Sequence, residues 1–192
     1  SGLTDATFDN KVLMPFYKRV MAAVEDACPG RIFFTEPSAA FTFGFAKELR
    51  VPSGFEDRVV VSPHFYPSEV HEPGTEGYKG HISDLDRRLL DVIGGYLDKG
   101  VPLWMGEFGG ITSNPGFAQY MRDLHELLAA HWVPSAIWDY CRGGGFCFLD
   151  DAGALNGVFY DVYTTPVPLL LPSKGTLKTD WDAGAITARP TA

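Results

Sequence analysis

Apolar residues recur along this chain in two alternating patterns. From Lys11 to Ala27, Leu13, Phe16, Tyr17, Val20, Met21 and Val24 fall at three- and four-residue spacing, which predicts a helix with one buried stripe. Pro15 falls in its first turn, where a missing N–H does no harm, and Pro29-Gly30 ends it. Ile82, Leu85, Leu89, Leu90, Ile93 and Leu97 predict a second helix, stopped at Gly100. Phe117, Tyr120, Met121, Leu124, Leu127 and Leu128 predict a third, with Ser113-Asn114-Pro115 as its N-terminal cap and proline at the first position. Between them lie short β-rich runs: Arg31–Thr35 (RIFFT), Arg58–Ser62 (RVVVS), Val101–Phe108 (VPLWMGEF) and Pro134–Tyr140 (PSAIWDY). The third is a continuous apolar run, which suits a strand buried on both faces. Ser38–Asp57 is an aromatic, Gly-rich connection with one helical turn near Phe45–Leu49, and Cys141–Gly157 is a Gly-rich loop. Val158–Ala192 shows no period and has room for one helix or an extra strand.

Helix and strand thus alternate, which implies a parallel sheet with right-handed crossovers. Each strand ends in a chemically distinctive residue: Glu36 after the first, His64 and Tyr66 after the second, Glu107 after the third, Trp138 in the fourth. A buried strand has no packing reason to end in Glu107-Phe108-Gly109-Gly110. In (β/α)8 barrels and doubly wound sheets alike, functional groups collect at the C-terminal strand ends. No phosphate-binding glycine loop follows a strand.

Composition narrows the chemistry. A net charge of −8 with no basic run makes nucleic acid and anionic membrane poor partners. Three cysteines, Cys28, Cys141 and Cys147, are too few for a disulfide framework or zinc ribbon; Cys141 and Cys147 are either paired across Gly143–Gly145 or free thiols. Glu36, His64 and Glu107 lack the close spacing of a metal site, so neither metal nor cofactor is expected. No stretch is long enough to span a bilayer, and the Ser1-Gly2 start reads as a cut end.

A complete barrel takes about 250 residues, and four βα units are half of one. The ordered set IFFTEP, SPHFYP, WMGEFGG and AIWDY, with the Gly-rich loop to Asp150, resembles strands five to eight of glycoside hydrolase family 5, most closely its endoglycoceramidase group. The resemblance runs over Val12–Asp151. It implies a C-terminal half-barrel over residues 1–160, completed by its missing half or by dimerisation. Residues 161–192 would be a closing tail that leads towards a C-terminal β-domain this chain lacks. It implies a secreted retaining β-glycosidase acting on a carbohydrate or glycolipid, including the oligosaccharide–ceramide bond. By resemblance Glu107 is the nucleophile, His64 and Tyr66 line the site, Trp138 is the floor under the sugar, and Glu36 is a secondary carboxylate distinct from the acid/base. The family's acid/base lies in an Asn-Glu-Pro on strand four, and no such tripeptide occurs here. The other reading is a non-catalytic half-barrel that binds a sugar or only folds and associates.

Overall fold

In the computed structural model, residues 7–43, 50–164, 175–180 and 185–190 are described. The expected helical turn near Phe45–Leu49 lies outside the described residues. The chain forms two compact units, residues 1–66 with 87–108 and residues 67–86 with 109–192.

The first unit opens with a π-helical turn, Asp9–Leu13, that runs into α1 (Met14–Ala27), with Pro15 in its first turn as the sequence requires. It continues through β1 (Phe33–Thr35), a one-turn α2 (Ala39–Thr42), β2 (Val59–Val61) and β3 (His64–Phe65). The chain then passes through α3 (Ser68–His71), which belongs to the second unit, and α4 (Ile82–Leu97), whose residues from Arg87 on belong to the first, and β4 (Met105–Phe108) completes the first unit. β1 pairs in parallel with β2, Phe33 opposite Val59 and Thr35 opposite Val61; β3 pairs in parallel with β4, His64 opposite Glu107. Backbone bonds from Val61 to Pro102, from Trp104 to Val61 and from Gly106 to Pro63 carry the pairing from one strand pair to the next.

In β2 burial alternates with period two, whereas β4 is buried at both ends. Thr35, Val59, Val61, Leu103, Met105 and Phe108 are buried, as are Met21 of α1 and Leu89, Ile93 and Tyr96 of α4. Each such aliphatic side chain stabilises the fold by roughly 1.5–3 kcal/mol. Phe34 is 60% exposed and meets Trp104 edge-on at 6.1 Å. The Val101–Phe108 run, expected to be buried on both faces, buries Leu103, Met105 and Phe108 and leaves Trp104 and Glu107 partly exposed, while β1 has one exposed side chain in Phe34. The expected buried stripe of α1 is likewise only partly covered. Met21 is buried, while Phe16 and Val20 stay exposed together with Val12 and Ile32. β1 stands at the end of its sheet, so among the described residues no strand pairs with its outer edge.

The second unit is built on α5 (Phe117–Ala130), whose Phe117, Tyr120, Met121, Leu124, Leu127 and Leu128 are buried with Phe159. Its cap differs from the expected one. The residue before the helix is Gly116, at φ +76°, and Asn114 does not cap. Asn114 is buried, and its amide donates to the carbonyls of Val70 at 3.2 Å and Glu72 at 2.9 Å. A Cβ on Gly116 would lie 2.0 Å from the Tyr78 carbonyl oxygen, so glycine is required where these two backbone segments meet. β5 (Ser135–Ile137) is shorter than expected, because the chain turns at Asp139, whose carbonyl accepts from the amides of Cys141 and Phe148. α6 (Tyr160–Thr164) follows, and β6 (Gly175–Asp180) pairs antiparallel with β7 (Ala185–Pro190). Cys141 and Cys147 form a disulfide.

Candidate active site

Three strand ends of the first unit bring polar side chains together. The parallel register sets His64 directly beside Glu107. Gly106 lets them approach: a Cβ there would fall 2.7 Å from Ser62 Oγ and 3.3 Å from the His64 ring. Glu107 Oε2 accepts from the Tyr66 hydroxyl at 3.0 Å and lies 3.3 Å from His64 Nδ1. The other ring nitrogen, Nε2, lies 3.2 Å from Glu36 Oε1. His64 therefore bridges two carboxylates, with Tyr66 edge-on to its ring at 6.4 Å. Hydrogen bonds of this kind hold the Glu107 carboxylate in one orientation.

Glu36 is anchored from behind. The Tyr17 hydroxyl donates to the Glu36 carbonyl at 3.0 Å and accepts from its amide at 3.2 Å. Burial raises the proton affinity of Tyr17, so this hydroxyl keeps its proton. Glu36 is itself displaced upward: burial of its carboxyl dominates, the His64 ring opposes, and the charge of Glu107 adds to the rise. Tyr17 carried no distinguishing signal in the sequence beyond its place on α1. Beside it, Phe8, Leu13, Tyr17 and Pro37 line a hollow with Glu36 at its wall.

Of the residues singled out from the sequence, Glu36, His64, Tyr66 and Glu107 are thus assembled. Trp138 lies in the second unit, just past β5, and is 49% exposed. Its carbonyl oxygen would sit 2.3 Å from a Cβ on Gly109, and the Val70 carbonyl 2.5 Å from one on Gly110. The two glycines after Glu107-Phe108 are therefore there for backbone packing. Asp139, Cys141 and Cys147 are the group of metal-ligand type among the described residues, and both sulfurs are engaged in the disulfide. Among the described residues no helix is long and apolar enough to cross a membrane.

Two carboxylates on either side of one histidine, at the strand ends of a parallel α/β sheet, stand where α/β folds gather functional groups. The sequence profile of the cellulase family (glycosyl hydrolase family 5) matches residues 9–144, and the chain belongs to that family. No curated protein sequence matches it. Its fold is similar to that of an endoglucanase, at TM-score 0.61 and 17% identity, covering 74% of this chain and 50% of that one. It is also similar to endo-glycoceramidase II from Rhodococcus sp., at TM-score 0.62 and 19% identity over 80% of this chain and 36% of the other. A third similar structure is the cellulose synthase subunit Z of Clostridioides difficile, at 0.62 and 19% over 76% and 53%. The chain thus spans about half, or less, of the length of these structures, and their likeness establishes a partial α/β barrel.

Proposed function

We propose that this chain is the nucleophile-bearing half of a retaining β-glycoside hydrolase, with Glu107 as the nucleophile. The observation that carries the reading is Glu107 Oε2 engaged at once by the Tyr66 hydroxyl and His64 Nδ1, at 3.0 and 3.3 Å. Retaining hydrolysis uses two carboxyl groups in two displacements. The Glu107 carboxylate attacks the anomeric carbon while an acid protonates the departing oxygen. The same group then takes a proton from water, which displaces Glu107. Tyr66 and His64 fix the rotamer of Glu107 and hold its charge before the first step and after the second. Trp138 supplies an aromatic face for the sugar ring.

The acid/base comes from polypeptide beyond this chain. The family's Asn-Glu-Pro is absent from the sequence, and Glu36 is engaged with His64 instead. The exposure of Val12, Phe16, Val20, Ile32 and Phe34, on the first helical segments and at β1, the end strand of its pair, supports the same reading, since further βα units of a barrel would cover such side chains. That exposure also suits the second reading, a non-catalytic half-barrel that only associates. The substrate we favour is a β-linked glycolipid. The fold is shared with the Rhodococcus endo-glycoceramidase II, which has been captured as a lactosyl-enzyme intermediate. The Cys141–Cys147 disulfide fits a secreted protein.

The test is the stereochemistry of hydrolysis. The full-length protein is given an aryl β-lactoside and lactosyl ceramide, and the first-formed sugar anomer is followed by NMR. The β-anomer from either substrate is expected. The α-anomer would exclude a glycosyl-enzyme, and no turnover of any β-glycoside would favour the non-catalytic reading.

A further inference from the structure

We infer that the outer edge of β1 is the docking site of one further parallel strand, and that Tyr17 sets where this strand stops by occupying the backbone groups of Glu36. The inference rests on the reading that further βα units precede α1; it does not rest on the chemistry assigned to Glu107.

In a parallel ladder the N–H and C=O of one residue turn to the same side, and those of the next residue turn to the other. The Thr35 carbonyl accepts from the Ser62 amide at 2.7 Å, so Phe33 and Thr35 turn their groups to β2. Phe34, and Ile32 before it, turn theirs to the outer edge, where no strand pairs among the described residues. Glu36 is the next residue of that outward series, and its groups are already taken. The Tyr17 hydroxyl donates to the Glu36 carbonyl at 3.0 Å and accepts from its amide at 3.2 Å. Burial keeps this hydroxyl protonated, so it serves both groups at once. The edge open to a new strand therefore offers Ile32 and Phe34 and ends short of Glu36. The hollow lined by Phe8, Leu13, Tyr17 and Pro37 lies beside Glu36, where the incoming strand turns away.

The occupant follows from the connectivity. α1 passes to β1 through the turn at Pro29-Gly30. A helix that feeds a parallel strand is the crossover of a βαβ unit, and its leading strand lies in the same sheet. The inner side of β1 is held by β2, so the outer edge is the place left for that strand. The edge is also not built to stay bare. Residues 32–35 contain no charge and no proline, the usual means of blunting a free edge, and Ile32 and Phe34 are 66% and 60% exposed. The chain covers 50% of the similar endoglucanase and 36% of the endo-glycoceramidase, so the similar structures hold further chain of the length such units need.

The experiment is amide hydrogen exchange, read by residue-resolved NMR of the full-length protein and of its Tyr17→Phe variant. The two amides are assigned from the signals missing in Phe34→Leu and Glu36→Gln. We expect the Phe34 amide to exchange roughly a hundredfold or more slower than an open chain in both proteins, at any protein concentration. We expect the Glu36 amide to be slow in wild type and to exchange about tenfold or more faster in Tyr17→Phe, which lacks its acceptor, while the Phe34 rate changes less than about threefold. A Phe34 amide that exchanges freely in wild type overturns the docked strand without reference to any variant. Protection of Phe34 that appears only as the concentration rises assigns the edge to a second copy and overturns it too. A Glu36 amide unchanged in Tyr17→Phe, or rising only as much as Phe34, overturns the role of Tyr17. The expected rates in a protein that hydrolyses no β-glycoside leave this inference standing and sink the catalytic reading instead.

Discussion

The C-terminal edge of β1–β4 and the core around α5 both hold hydrogen-bonded polar side chains, yet they do so in opposite ways. Around α5, Asp123 and His125 bond to fixed side-chain or backbone partners nearby. Asp123 is buried and accepts from the Tyr78 hydroxyl at 2.7 Å and from the Gln119 amide at 2.6 Å. His125 Nδ1 lies 2.8 Å from the Met121 carbonyl one turn back, and its ring meets Tyr163 edge-on at 5.3 Å. At the strand edge, Glu36, His64, Glu107 and Tyr66 face one another and leave Glu36 half in solvent. The first pattern completes hydrogen bonds that burial makes obligatory. The second concentrates charge where folding does not require it, which is the mark of a site.

Substitutions separate the two patterns by what they change. The largest effect belongs to Glu107→Gln in the full-length protein. Turnover of an aryl β-glycoside falls about a thousandfold or more, while the urea midpoint stays within the equivalent of ~0.5 kcal/mol. Equal losses of stability and activity would erase the contrast.

Acid comes next, and it acts on the α5 side. Loss of hydration lowers the His125 pKa to about 4, against 6.5 for the free side chain. Below pH 6.5 the unfolded chain therefore binds a proton that the folded chain refuses. The contribution of His125 is complete above that pH and is lost as the pH falls to about 4. The decline approaches roughly 3 kcal/mol at most, reduced by what solvent still reaches the ring. Urea titrations at pH 7, 5.5 and 4.5 read it, and His125→Phe flattens that part of the curve. An unchanged pH dependence in His125→Phe would place the acid sensitivity elsewhere.

Tyr78→Phe is the smallest change. It strips Asp123 of one donor and lowers stability by about 1 kcal/mol, with kcat and KM unaltered. A fall in kcat would tie this pair to the chemistry and blur the distinction.

The strand-end residues were legible in the sequence because a parallel sheet leaves little choice. Once RVVVS and WMGEF are neighbouring parallel strands, His64 and Glu107 emerge at the same edge, and the register puts them side by side. The three long helices were legible from apolar spacing. What escaped depends on contacts distant in sequence. Asn114 reads as a helix cap, but the carbonyls of Val70 and Glu72 claim its amide. The Glu36–His64 pair links residues whose strands are joined through an aromatic connection with no period. Phe16 and Val20 lie in an ordinary helical stripe, and their exposure could not be read from its spacing. The β6–β7 hairpin carries no alternation strong enough to read among its prolines and glycines.

The most direct measurement is covalent capture. The full-length protein is incubated with an activated 2-deoxy-2-fluoro β-glycoside, digested, and the labelled peptide mapped by mass spectrometry. The label is expected on Glu107, at one sugar per chain, and absent from Glu107→Gln. A label on Glu36 or any other residue contradicts the assignment of Glu107 as the nucleophile.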